Sequence, residues 1–369
     1  MTTTSTGVRR TALYDEHVRL GARMIPFGGF DMPVQYASIL KEHEAVRRRA
    51  GLFDLSHMGQ FVLQGENVGE WADTLTVNNV ATIKPLQARY NIFTNPHGGA
   101  LDDVIFYRLE NRWLLVVNAS NAQKMWNHVN AHLRDSGVKL TNLHGSNALI
   151  AIQGPKSVEM LAPHTGVDVA NLKYYFCSEG RVYGKAAVIA RTGYTGEDGF
   201  ELFVDGGDAA EIWSKLLADN REAGLEPVGL GARDVLRLEA GMPLYGHEMN
   251  EEITPIQAGM NWAVKLSKPE FIGKQALQAQ KDADDFRRVA GVVMAGRAPA
   301  REGYKVFHGD REAGDVRSGS TAPSVENKNI ATVLVDKDAA TPGTQLAVEI
   351  RGTKHDATVV ALPFYKRPS

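Results

Sequence analysis

A single cysteine, Cys177, occurs in 369 residues. A lone thiol excludes an intrachain disulfide and a cysteine metal cluster, and it fits a reducing compartment. No window approaches the roughly 20 apolar residues a membrane helix needs. The opening "MTTTSTGVRR" is polar and lacks the apolar core of a secretory signal. The sequence therefore reads as cytoplasmic, with no membrane contact. Neither sign of charge is in excess: 41 Lys and Arg against 43 Asp and Glu give a net charge of −2. No global field draws the chain to nucleic acid. Familiar catalytic signatures are missing too. "GLGARD" has two glycines of a dinucleotide fingerprint, but Asp234 stands where the third belongs and no apolar strand leads in. There is no GxxxxGK phosphate loop, no HExxH and no GxSxG. Ser56 and His57 are merely adjacent, and the eleven histidines lack metal-ligand spacing, so no metal is expected.

What is present is length and alternation. A chain of this size exceeds one core and predicts two or three domains. "ILKEHEAVRRRAG" reads as a helix stopped by Gly51. "GQFVLQG", "RYNIFTN" and "RWLLVVNAS" read as strands, and so do "ALIAIQG", "GKAAVIART" and "FELFVD". "VGEWADTLT", "NAQKMWNHVNAHLRDSG", "KSVEMLAP" and "DAAEIWSKLLADNREAG" read as helices. "GLGARDVLRLEAGM" is a loop entering a helix, "GMNWAVKL" reads as a strand, and a charged helix follows. After Arg288 come six short strands between Gly, Pro and Asp turns, the pattern of a small all-β barrel or sandwich. The fold class is α+β. The character changes over residues 275–288, which gives one region at 1–278 and a barrel at 279–369.

Three stretches carry chemistry. In "HGGALDDVIFY", strand alternation sends Leu101, Asp103, Ile105 and Tyr107 to one face and Asp102, Val104 and Phe106 to the other. Either aspartate can tie down turn amides, and one can face a cleft as base or charge stabiliser. "RTGYTGEDGFEL" is a tight loop before a strand holding Glu201 between Phe200 and Leu202. Such a carboxylate faces solvent or meets a donor-rich ligand edge. Tyr194 can stack on a flat ring or simply pack. In "GLGARDVLRLEAGMPLYGHEM", Arg233 opens a helix, where the dipole does not favour a cation. A nearby anion would justify it, and so would a plain salt bridge with Glu239 or Asp234; Arg237 follows one turn later. "PVQYAS", "FDLSHM" and "VVNAS" are further polar insertions in apolar surroundings.

Together with "LYDEHVRLGARMIPFGGFDMPVQY", "AIQGP", "FIGK", "SGSTAPSVENKNIA" and "LPFYKR", these segments resemble the glycine-cleavage T protein family. The resemblance runs from about Thr11 to the end. It implies a three-domain cloverleaf, with two interleaved α+β domains around a folate channel and a C-terminal barrel. It implies tetrahydrofolate as co-substrate and Asp102 as the catalytic residue, leaving Asp103 structural. Glu201 would grip the pterin. Tyr90, Asn118, Tyr194 and Arg233 would contact folate, and Tyr365 or Arg367 its tail. The implied donor is the lipoylated H protein, linked functionally to the P and L proteins of the same system. Loss of ammonia from its aminomethyl thioaminal, with capture of the carbon by tetrahydrofolate, would yield 5,10-methylenetetrahydrofolate and the dihydrolipoyl carrier. Folate-dependent demethylases share the scaffold and would yield 5-methyltetrahydrofolate. Folate-binding modules of iron–sulfur assembly carry a cysteine in the loop matching "TGYTGEDGFE"; none stands there in this chain.

Overall fold

The computed structural model describes residues 7–368. Strand order in the chain interleaves two sheets. Ala50–Asp54 enters a six-stranded sheet. The chain then builds a five-stranded sheet from Gly59–Gln64, Gln87–Thr94, Ala100–Arg108, Trp113–Val117 and Lys139–Asn142. It returns to the first sheet with Asn147–Gln153, Cys177–Val182, Lys185–Ala190, Gly199–Asp205 and Leu225–Pro227. One compact unit holds the described residues up to Ala72, Val80–Asn91 and Val104–Arg233. The other holds Asp73–Asn79, Ile92–Asp103 and the described residues from Asp234 onward.

The six-stranded sheet packs an apolar face formed by Leu52, Ile150, Ile152, Ile189, Phe200 and Leu202 against Ile212, Trp213 and Leu216 of the helix Gly206–Asp219. Asp205 caps that helix by accepting the Gly207 N–H at 2.8 Å. In the second unit, Arg288–Met294, Lys305–His308, Arg311–Ala322, Lys328–Val335, Gln345–Ile350 and Thr353–Val360 close a six-stranded barrel. Closure removes the sheet edges, and Val292, Val306, Val316, Val333, Val348 and Val359 fill the interior. The α+β class and the barrel agree with the sequence pattern.

Two local expectations fail. Gly51 does not stop the helix, which ends at Arg48; Gly51 lies inside the next strand. There a Cβ would stand 2.4 Å from Val228 and 2.6 Å from Val46, so the glycine permits close packing. "GMNWAVKL" is a run of turns. Ala263 N–H bonds Met260 at 2.9 Å and Val264 N–H bonds Asn261 at 3.2 Å, an i to i+3 pattern that no strand adopts. An N-terminal sheet of Arg9–Arg10, Arg23–Phe27 and Phe30–Gln35 has no counterpart in the sequence reading.

Candidate functional site

Glu201 sits in the Gly199–Asp205 strand, opposite Ala151 on one side and Ala190 on the other. Small flanking residues leave its long side chain room. It is only 8% exposed. Thr192 Oγ1 donates to Glu201 Oε2 at 2.5 Å, and the Tyr107 hydroxyl donates to the same oxygen at 3.0 Å. A buried carboxylate needs such donors. Both converge on Oε2, and Oε1 accepts from neither. Burial and the neighbouring Glu201 charge push the Tyr107 phenol well above its ordinary pKa, so it remains a neutral donor.

The glycine-rich loop wraps an amide. A Cβ on Gly193 would fall 1.9 Å from Gln153 Oε1, and one on Gly199 2.5 Å from Gln153 Nε2. Gln153 donates to the Thr192 carbonyl at 3.0 Å and accepts from Thr195 Oγ1 at 3.1 Å. Arg191 forks onto Asp198 at 2.9 and 2.6 Å. The loop is thus fixed from inside and at its ends. It presents Tyr194, over whose ring the Arg233 guanidinium lies 4.6 Å from the centroid.

The strand Ala100–Arg108 alternates in burial as its pleat requires. Asp102 is fully buried, on the face of Val104 and Phe106. That face continues through Leu115 to Phe61 by strand register, and Phe61 meets Trp126 of the helix Ala122–Ala131 at 5.4 Å. Asp103 is half-buried and shares the opposite face with Ile105 and Tyr107. Tyr107 is the residue that donates to Glu201. The two aspartates thus lie on opposite faces of the strand, Asp102 enclosed and Asp103 half-buried.

The remaining candidates divide between the units. Tyr90 is half-buried in Gln87–Thr94. Asn118 precedes the helical turn Ala119–Asn121 and accepts the Asn121 N–H at 3.0 Å through its carbonyl. Within the first unit, Tyr107, Thr192 and Glu201 converge, and Tyr194 meets Arg233. Asp102, Asp103, Tyr365 and Arg367 belong to the second. There Tyr365 donates its N–H to the Glu239 carbonyl at 2.8 Å, while Arg367 is exposed. Sequence reading missed Thr192 and Gln153 and did not single out Tyr107, although it placed Tyr107 on the Asp103 face.

The polar insertions are internal fasteners. Asp54 accepts from Thr11 at 2.7 Å and from the Ser56 N–H at 2.8 Å, with His17 Nε2 at 2.9 Å. The Tyr36 hydroxyl lies 2.9 Å from His17 Nδ1. Arg237 pairs with Asp234 at 2.9 Å and with Glu248 at 3.0 Å. Glu239 accepts the Ser324 N–H at 2.9 Å. Among the described residues no group of His, Cys, Asp and Glu is arranged to hold a metal ion. No helix of the described residues is long and apolar enough to cross a membrane.

Comparison with known proteins gives the same outline. The model of the GCVT N-terminal domain matches residues 13–268, and that of the glycine cleavage T-protein C-terminal barrel domain matches 287–366. An aminomethyltransferase of Moorella thermoacetica is 45% identical over 98% of this chain and 99% of its own. One from Deinococcus deserti is 45% identical over 99% of each. The crystal structure of glycine cleavage system aminomethyltransferase T from Bartonella henselae superposes with a TM-score of 0.91 at 35% identity, over 98% of this chain and 99% of that one. With both family domains matched in order and relatives this similar over the full length, the chain belongs to the glycine-cleavage T protein family.

Proposed function

We propose that this chain is a tetrahydrofolate-dependent aminomethyltransferase of the glycine cleavage system. It takes a one-carbon unit from the lipoyl-bound aminomethyl group of the H protein and passes it to tetrahydrofolate, releasing ammonia. It works in the cytoplasm alongside the P and L proteins. The observation that carries the reading is the Glu201 carboxylate, oriented on one oxygen by Tyr107 and Thr192. Its other oxygen can accept from the N–H donors of a pterin's amino-pyrimidine edge.

The remaining roles follow from chemistry and position. Tyr194 and Arg233 hold the folate further along, with Tyr90 and Asn118 as additional contacts. Tyr365 or Arg367 meets the anionic tail. Transfer needs a folate nitrogen held against an electrophilic carbon in near-attack geometry. Positive charge develops as ammonia leaves, and a fixed carboxylate stabilises it. Of the neighbouring pair, Asp102 takes that part, and Asp103, on the opposite face of the strand, keeps a structural role. An ordinary aspartate is a weak base at neutral pH, so the role is electrostatic rather than proton abstraction.

The test mixes the full chain with tetrahydrofolate and an aminomethylated lipoyl carrier. Methylenetetrahydrofolate and ammonia should appear together. No product from this mixture, with 5-methyltetrahydrofolate formed from a sulfonium, aryl ether or amine methyl donor, would make the protein a demethylase and end the proposal.

A further inference from the structure

Tyr194 and Arg233 come from segments 39 residues apart, one on a glycine-rich loop and the other in a helix's first turn. Beyond the bonds that hold the loop itself, both segments are supported from one helix, Ile39–Arg48. Glu42 on that helix is 1% exposed. Its Oε2 accepts the Gly229 N–H at 2.9 Å and its Oε1 the Tyr36 N–H at 2.7 Å, and the Ala37 N–H adds a third bond. Gly229 in turn gives its carbonyl to the Arg233 N–H at 3.2 Å. One residue therefore links Glu42 to the backbone of Arg233. Five residues along, about 7.5 Å of helix, Arg47 donates to the Thr195 carbonyl at 2.6 Å and to Glu197 Oε1 at 2.9 Å. Thr195 follows Tyr194 directly.

We infer that Glu42 and Arg47 are positioning residues for folate, and that the helix Ile39–Arg48 sets the spacing between Tyr194 and Arg233. The inference rests on the folate reading of that pair. Energetics support a purpose beyond packing. A carboxylate buried among backbone amides is expensive: desolvation, the largest influence, raises the Glu42 pKa, and the three N–H bonds only offset it in part. An apolar residue at that point of the helix would bury more cheaply, but it could not grip the Gly229 amide. Arg47 likewise places one guanidinium nitrogen, on a side chain only 8% exposed, on the loop that carries Tyr194.

The experiment titrates tetrahydrofolate into the full-length protein without donor, and follows steady-state kinetics in parallel. Glu42→Gln and Arg47→Met should each weaken tetrahydrofolate binding about tenfold, raise its KM to match, and leave kcat at saturating folate near the wild-type value. Arg233→Ala is the reference. Adding Glu42→Gln to Arg233→Ala should cost little more affinity, since the same contact is already lost. Lowered thermal stability with unchanged folate affinity would overturn the inference, and so would fully additive losses in the double variant. If Arg233→Ala itself binds folate normally, the site reading falls and takes the inference with it. Should Glu42→Gln not fold, Arg47→Met carries the test alone and must still weaken folate.

Discussion

At the residue scale, two neighbouring carboxylates have unlike environments because a strand turns consecutive side chains apart. Asp102→Asn should lower kcat by about a hundredfold while folate affinity holds, the loss expected when a charge stabiliser is neutralised. Asp103→Asn should act mainly on Tm. Equal kcat losses in the two variants would reject the division between them. Glu201→Gln should raise the tetrahydrofolate KM by about tenfold or more, and Tyr107→Phe should raise it less, because Thr192 still donates to Oε2. Glu201 and Arg233 were visible in the sequence as charges in unfavourable places. Gln153 and Arg47 were not, because what makes them matter lies 39 or more residues away in the chain, in carbonyls, hydroxyls and glycines with no composition of their own.

At the scale of elements, the N-terminal segment is fastened to the six-stranded sheet by Asp54. Burial would raise the Asp54 pKa, but the hydrogen bonds and charge of His17 and the bonds from Ser56 outweigh it and hold it below the ordinary value. A depressed carboxylate pKa contributes stability that is present above its unfolded value and lost as pH falls through the folded one. Wild type should therefore exceed Asp54→Asn by roughly 3 kcal/mol at neutral pH, and the gap should narrow below about pH 4. Urea unfolding across that range measures it; a gap independent of pH would refute the assignment. Elements bounded by turns, such as the barrel strands, were legible because Gly, Pro and Asp punctuate a period of two. "GMNWAVKL" misled because its apolar residues imitate that period while i to i+3 bonds fold it into turns. The short N-terminal strands gave no signal: two residues such as Arg9–Arg10 carry no periodicity at all.

At the scale of the whole molecule, one helix, Leu230–Glu239, begins in the first unit and ends in the second. Arg237 fastens its latter part through Glu248 and, at 2.7 Å, through Ser318 of the barrel. Arg237→Met should cost roughly 3 kcal/mol by stranding a buried carboxylate, and pairing it with Glu248→Leu should recover part of that loss. Chemical denaturation of the single and double variants decides the point; a double variant weaker than either single one would contradict it. The α+β class and the barrel could be read from sequence because each strand states its own pattern locally. The allotment of Asp73–Asn79 and Ile92–Asp103 to the later unit could not, since it depends on packing against chain that comes long afterwards.

That allotment has a consequence for how the protein is made. The chain changes unit after residues 72, 79, 91, 103 and 233. A ribosome must therefore emit about two-thirds of the polypeptide before the first unit is complete, and the early pieces of the second wait longer still. Meanwhile strands such as Gln87–Thr94 and Ala100–Arg108 have partners already present at one end and not yet synthesised at the other. Nascent chains of this protein should depend on chaperones for longer than their length alone requires, and a stop codon anywhere before the barrel should give aggregate rather than a smaller working fragment.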